Sequence, residues 1–280
     1  MTYSEKILNA INSSKSVLCA GIDPVPEQFP QVVREQASSE TDMVVTFCRT
    51  VIEQTKTRVA AYKINIAYFE ALGPDGFHVL NDVLDIIPPG KVIIADAKRG
   101  DVPHTNQRYK VAYFDRFGFD AITLSPFMGM DTLEPFLQDD SVAVYALTLT
   151  SNPGASDFMT RPFMDSSTLS QYIAKRLREL SVSHPGSIGM VIGATQSAFY
   201  EPVLRAFPES PLLIPGIGAQ GGSIKELSDT LADHHAPTLI NASRGLTGFD
   251  SSSMEAWDIQ IAKNTDTIAQ SLGSITERYL

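Results

Sequence analysis

The hexapeptide Asp96-Ala97-Lys98-Arg99-Gly100-Asp101 follows the apolar run Val92-Ile93-Ile94-Ala95 and sets two carboxylates around one ammonium. A half-buried strand that ends in charge needs those charges paired or put to use, because uncompensated charge in low dielectric costs several kcal/mol or more. Neighbouring carboxylates favour the charged form of Lys98. A fixed ammonium can stabilise negative charge as it develops and then deliver a proton. Alone, an Asp-x-Lys is as readily a surface ion pair at a strand end, so the elements around it decide.

Short β-rich runs alternate with longer segments of helical periodicity, the pattern of parallel strands joined by crossover helices. Strands are expected at Val17-Ile22, Val59-Ile64, Lys91-Ala95, Ala121-Leu124, Val142-Leu147, Ser187-Ile192, Leu212-Pro215 and Thr238-Asn241. Eight such units in 280 residues predict an α/β fold, a TIM (β/α)8 barrel forming a single domain over residues 1–280. A doubly wound open sheet is the alternative, but Gly21-Ile22-Asp23-Pro24 after the first strand is no dinucleotide fingerprint. The turn-rich stretch from Asn152 to Ser170 reads as a long loop able to act as a lid.

In such a barrel the site lies at the C-terminal strand ends. Those ends carry Asp23, then Lys63 and Asn65, then Asp96 and Lys98, then Ser125, then Thr150, Ser151 and Asn152. Singly, Asp23 could be a helix cap and Lys63 a snorkelling surface residue. The last two loops bring Pro215-Gly216-Ile217-Gly218-Ala219-Gln220-Gly221-Gly222 and Asn241-Ala242-Ser243-Arg244-Gly245 together. Glycines let backbone N–H groups approach phosphate oxygens and Arg244 adds a bidentate guanidinium, so a phosphorylated small molecule is the expected ligand.

A formal charge of −10 and a pI near 4.9 argue against general binding to nucleic acid or to an anionic membrane surface. Cys19 and Cys48 form neither a disulfide framework nor metal-ligand spacing and are expected as core thiols. No cationic-apolar leader or membrane-length apolar run is evident, so a cytoplasmic protein is expected. His104 reads as a solvated or interface residue, His234-His235 as an exposed helix end, and Trp257 as packing for the final helix.

Taken in order, these motifs resemble the orotidine 5′-phosphate decarboxylase family, most closely its longer bacterial type. That resemblance rests on Gly21-Ile22-Asp23-Pro24, the Lys63-x-Asn65 pair, Asp96-Ala97-Lys98-Arg99-Gly100-Asp101, Thr150-Ser151-Asn152-Pro153-Gly154, Gly193-Ala194-Thr195, the Gly-rich phosphate loop and Ser243-Arg244-Gly245. It implies decarboxylation of orotidine monophosphate to uridine monophosphate, the last step of de novo pyrimidine synthesis, with no metal and no organic cofactor. It further implies that Lys98 protonates the ring carbon beside Asp96, that Asp23 and Lys63 hold ribose hydroxyls, and that Ser151 bonds the pyrimidine. Gln220 and Arg244, with the backbone at Gly218 and Gly221, would grip the phosphate, and Asn65 would sit among the binding residues. Asp101 and Thr105 would reach into the neighbouring subunit's site, making the protein a homodimer with shared active sites. Ser125 and Val102 depart from the family pattern, where asparagine and isoleucine are usual. Two rivals are a magnesium-dependent sugar-phosphate relative, opposed by Thr150-Ser151-Asn152-Pro153, and a silent phosphate-binding barrel, opposed by the full set of charges.

Overall fold

Eight apolar segments extend as parallel strands and close into a barrel in chain order. They are β1 Leu18–Ile22, β2 Ala61–Asn65, β3 Val92–Arg99, β4 Ala121–Leu124, β5 Ala143–Leu149, β6 Ser187–Ile192, β7 Leu212–Pro215 and β8 Thr238–Ala242. This is the expected α/β barrel, in a computed structural model that describes residues 1–164, 167–194, 199–216 and 224–280. β1 and β8 seal it through Leu18 opposite Ile240 and Ala20 opposite Ala242. Nearly every strand residue is buried because helices cover the outer face and packed side chains fill the inside, which explains the continuous Val/Ile/Leu/Ala runs.

The helices form where an apolar stripe of period 3.6 coincides with a cap. The helix Glu40–Thr55 starts at Ser39, whose hydroxyl accepts the Asp42 N–H, and buries Val44, Phe47, Cys48, Val51, Ile52 and Thr55 along one face. The helix Leu169–Ser181 starts in a capping box between Thr168 and Gln171. Trp257 opens the helix Trp257–Ser271. Its ring stacks 5.7 Å from Phe47, which itself stacks 4.1 Å from Phe29, so the packing role expected of it holds.

Three local expectations change. β3 does not stop at Ala95 but runs through Arg99, so the charged pair stands on the strand and not in a turn after it. The segment after β5 contains a short helix, Ala155–Phe158, and an antiparallel bridge between Pro162 and Thr168. Of the pair expected at an exposed helix end, His235 is exposed but His234 is buried, its Nε2 3.0 Å from the carbonyl of Ser210, which leads into β7. Cys19 and Cys48 are buried free thiols as expected, and burial pushes Cys19 up to about 12. Among the described residues no helix is long and apolar enough to cross a membrane.

Candidate active site

Asp96 is the hub of the upper barrel. Its Oδ2 accepts Lys63 Nζ from β2 at 2.6 Å and its Oδ1 accepts Lys98 Nζ at 2.6 Å. Burial alone would raise the Asp96 carboxyl, but the two ammonium groups overcome it and hold the group down at about 2. Burial pulls Lys63 toward neutrality, yet Asp96 and then Asp23 outweigh it and leave its pKa above the ordinary lysine value. The snorkelling alternative for Lys63 therefore fails: its side chain is 6% exposed, whereas that of Lys98 is 52% exposed. Lys63 is the fixed charge, and Lys98 is the one a ligand can reach.

A residue that sequence reasoning missed completes this hub. Thr123, buried on β4, donates its hydroxyl to Asp96 Oδ1 at 3.1 Å and accepts the Lys98 backbone N–H at 2.9 Å. The only signal was a hydroxyl in the otherwise apolar strand Ala121-Ile122-Thr123-Leu124. Ser125, singled out instead, uses its backbone N–H on the Arg99 carbonyl at 2.7 Å. The register pairs Ala95 with Ile122 and Arg99 with Leu124, so Asp96, Ala97 and Lys98 stand opposite Thr123 alone. That is a bulge, the device that re-aims side chains beside active sites. Lys98 absorbs the bend with φ at +45°, a left-handed conformation that costs a non-glycine residue about 1–2 kcal/mol.

These groups line one side of a cavity of about 210 Å³. Thr150, Ser151 and Asn152 form another side, and Leu147, Val191 and Leu213 make it apolar. Thr150 Oγ1 donates to Asn152 Oδ1 at 2.6 Å, which tightens the turn after β5. Gly193 lets that turn close: a Cβ there would lie 2.4 Å from the Ser151 backbone nitrogen. The cavity thus offers an ammonium together with hydroxyl and amide groups around an apolar floor.

A second, wider cleft of about 960 Å³ holds Asp23, Tyr68, Ser243 and Arg244. Asp23 links the two, because its charge acts on Lys63. One Asp23 carboxylate oxygen is buried with no hydrogen-bond partner among the described residues, an acceptor waiting for a donor. Arg244 is exposed at the start of the short helix Arg244–Thr247 and makes no ion pair among the described residues. A cation left open beside a helix start can grip an anionic group.

The chain does not bring every predicted residue to the hub. Asn65 ends β2 in register with Asp96. Asp101 is partly exposed and accepts the Val102 N–H at 2.7 Å, with no ion pair to Lys98 among the described residues. Thr105 is partly exposed on the helix Pro103–Lys110, and its neighbour His104 is exposed. Gln220, Gly218 and Gly221 lie outside the described residues.

Known proteins are similar to this chain over most of their length. Residues 16–258 match the family described as orotidine 5′-phosphate decarboxylase / HUMPS. An orotidine 5′-phosphate decarboxylase of Dehalococcoides mccartyi is 38% identical over 250 residues, 88% of each chain. The protein of that name from Thermomicrobium roseum is 36% identical over 254 residues, covering 90% of this chain and 89% of its own. Among solved structures, the Leishmania donovani OMP decarboxylase superposes with a TM-score of 0.80 at 29% identity over 99% of both chains. A barrel with its charges gathered at one rim, matched over residues 16–258 from before the first strand to past the last, makes this chain a member of the orotidine 5′-phosphate decarboxylase / HUMPS family.

Proposed function

We propose that the protein decarboxylates orotidine 5′-monophosphate to uridine 5′-monophosphate and carbon dioxide, in de novo pyrimidine synthesis. A single carboxylate, Asp96, shared by a buried and a half-exposed ammonium carries this conclusion. The bond from the ring carbon to the carboxylate breaks, carbon dioxide leaves, and the electron pair stays on a ring carbon that delocalises it poorly. Catalysis then needs fixed positive charge at that carbon and a proton within reach. Lys98 is the proton donor, and solvent returns its proton afterwards. Lys63 and Asp96 keep the array charged and rigid, and Asp23 and Lys63 hold the ribose hydroxyls. Ser151 bonds the pyrimidine, while Arg244, Gln220 and the backbone at Gly218 and Gly221 hold the phosphate, with Asn65 at the edge of the binding set. Phosphate contacts far from the reacting carbon orient the base for the chemical step.

Asp101 and Thr105 act in the site of a second copy, making a homodimer with two shared sites within one barrel domain per chain, 1–280. In support, Asp101 has no cation partner among the described residues, and exposed Val102, Phe127 and Met128 stand nearby in a form apt for a subunit contact. Asn106 joins their two segments, donating to the carbonyls of Asp101 and Thr132.

Loss of orotidine monophosphate absorbance, followed with purified protein and excess chelator beside a Lys98→Ala control, tests the reaction. Turnover that survives the chelator and vanishes in the variant is expected. Turnover abolished by the chelator, or none on this nucleotide by folded protein, would transfer the site to a sugar phosphate and a divalent cation.

A further inference from the structure

Arg99 follows Lys98 in β3 and points the opposite way, out of the barrel toward the helices. Its guanidinium donates to the Glu70 carboxylate, to the Tyr113 hydroxyl at 3.0 Å and to the Ala97 carbonyl at 3.4 Å. The same group lies 5.2 Å from the Tyr109 ring centroid. Glu70 ends the helix Ile66–Glu70 that follows the strand of Lys63. Tyr113 sits in the π-helix Val111–Arg116, a rare form concentrated at functional sites. One planar cation thus fastens the element after β2 and the element after β3 to the strand residue that closes the bulge.

Left-handed backbone at a non-glycine residue persists only where the surroundings over-determine it. On the cavity side of Lys98 that restraint comes from Thr123. On the wall side it comes from Arg99, whose carbonyl also accepts Ser125 N–H at 2.7 Å. Gly100 closes the same corner, since a Cβ there would lie 2.9 Å from the Ser125 carbonyl oxygen.

We propose that Arg99 is a positioning residue: its anchorage on Glu70, Tyr109 and Tyr113 holds the strained end of β3 so that the Lys98 ammonium meets the reacting carbon. This rests on the proton-donor role given to Lys98 above. Arg99 lines neither described cavity, so its loss should act on the chemical step and leave substrate affinity alone. A shift of about 1 Å in a reacting group can cost about 100-fold in rate.

The test compares wild type, Arg99→Ala, Arg99→Lys and Tyr113→Phe for kcat, KM and folded fraction by circular dichroism. For folded Arg99→Ala we expect KM within about twofold and kcat lowered by about 10- to 100-fold, with part of the loss restored by millimolar guanidinium ion. Arg99→Lys should restore little, since an ammonium lacks the planar fork. A kcat within threefold of wild type would overturn the proposal, as would a loss that tracks the folded fraction and ignores guanidinium. If Arg99→Ala does not fold, Tyr113→Phe decides, with a several-fold fall in kcat at constant KM expected and no fall overturning. If wild type itself fails to turn over, the functional reading falls separately. The positioning role is then read from Lys98 labelling by an amine reagent relative to the other lysines, where equal labelling in wild type and the folded variant overturns it.

Discussion

Thr123 touches both members of the pair on which the proposed chemistry depends, and a hydroxyl is the one small group able to do so. It accepts from the Lys98 N–H while donating to Asp96. Replacing Thr123 by the isosteric valine keeps the packing and strands a buried donor and a carboxylate lone pair, at a cost of about 1–3 kcal/mol. Thr123→Val should therefore lower the unfolding free energy by about that much and reduce kcat by about 10-fold or more, because the bulge that aims Lys98 loses its inner restraint. Thr123→Ser, which keeps the oxygen, should hold kcat near wild type. Equal kcat in the valine and serine variants would show that the hydroxyl does not position the pair.

At the scale of elements, the barrel wall beneath the site depends on how helices and loops dock on the strands. His234, just after the helix Ile224–Thr230, illustrates this. A carbonyl can only accept, so Nε2 carries the proton given to Ser210, and Nδ1 is left buried with no hydrogen-bond partner among the described residues. Burial, chiefly, pushes the imidazole from its ordinary 6.5 down to about 4. Above pH 6.5 the ring is neutral both folded and unfolded and contributes no pH dependence. As the pH falls through 6.5 the unfolded chain takes up a proton that the folded chain refuses, so stability is lost until the folded group titrates near 4. The loss can reach about 3 kcal/mol. His234→Gln keeps an N–H for Ser210 and cannot titrate. Its unfolding midpoint should fall less than that of wild type between pH 7 and pH 5, and parallel declines would rule out His234 as the source.

At the scale of the whole molecule, the shared site proposed above would make activity a property of two chains. If each site takes Lys98 from one copy and Asp101 from the other, a mixed dimer of Lys98→Ala and Asp101→Ala chains holds one site with both residues intact. Random exchange makes half of all dimers mixed, each with one good site in two, so two inactive variants should recover about a quarter of wild-type activity in a twofold-symmetric dimer. No recovery after exchange is verified by mass spectrometry would return Asp101 to its own chain. With an overall charge of −10, the proposed anionic ligand would have to be gripped by local cations such as Arg244 and not by the general field.

Much of this was legible in the sequence because it is written locally. Alternating apolar and amphipathic segments determine eight strand–helix units, since burial on both faces demands continuous apolar strands and a one-sided helix demands a stripe. Chemical type and position at strand ends were enough to single out Asp23, Lys63, Asp96, Lys98 and Ser151. What local pattern cannot carry is the distance between side chains on different strands, because register and closure set it. The tertiary structure alone made Lys63 buried and Lys98 reachable, although both are lysines at strand ends. It also brought an unremarkable threonine between Asp96 and Lys98, extended β3 through a bulge that packing on Glu70 and Tyr113 sustains, and buried a histidine that reads as solvated. Each of these depends on neighbours far away in the chain, and only the closed barrel brings such neighbours within hydrogen-bonding reach.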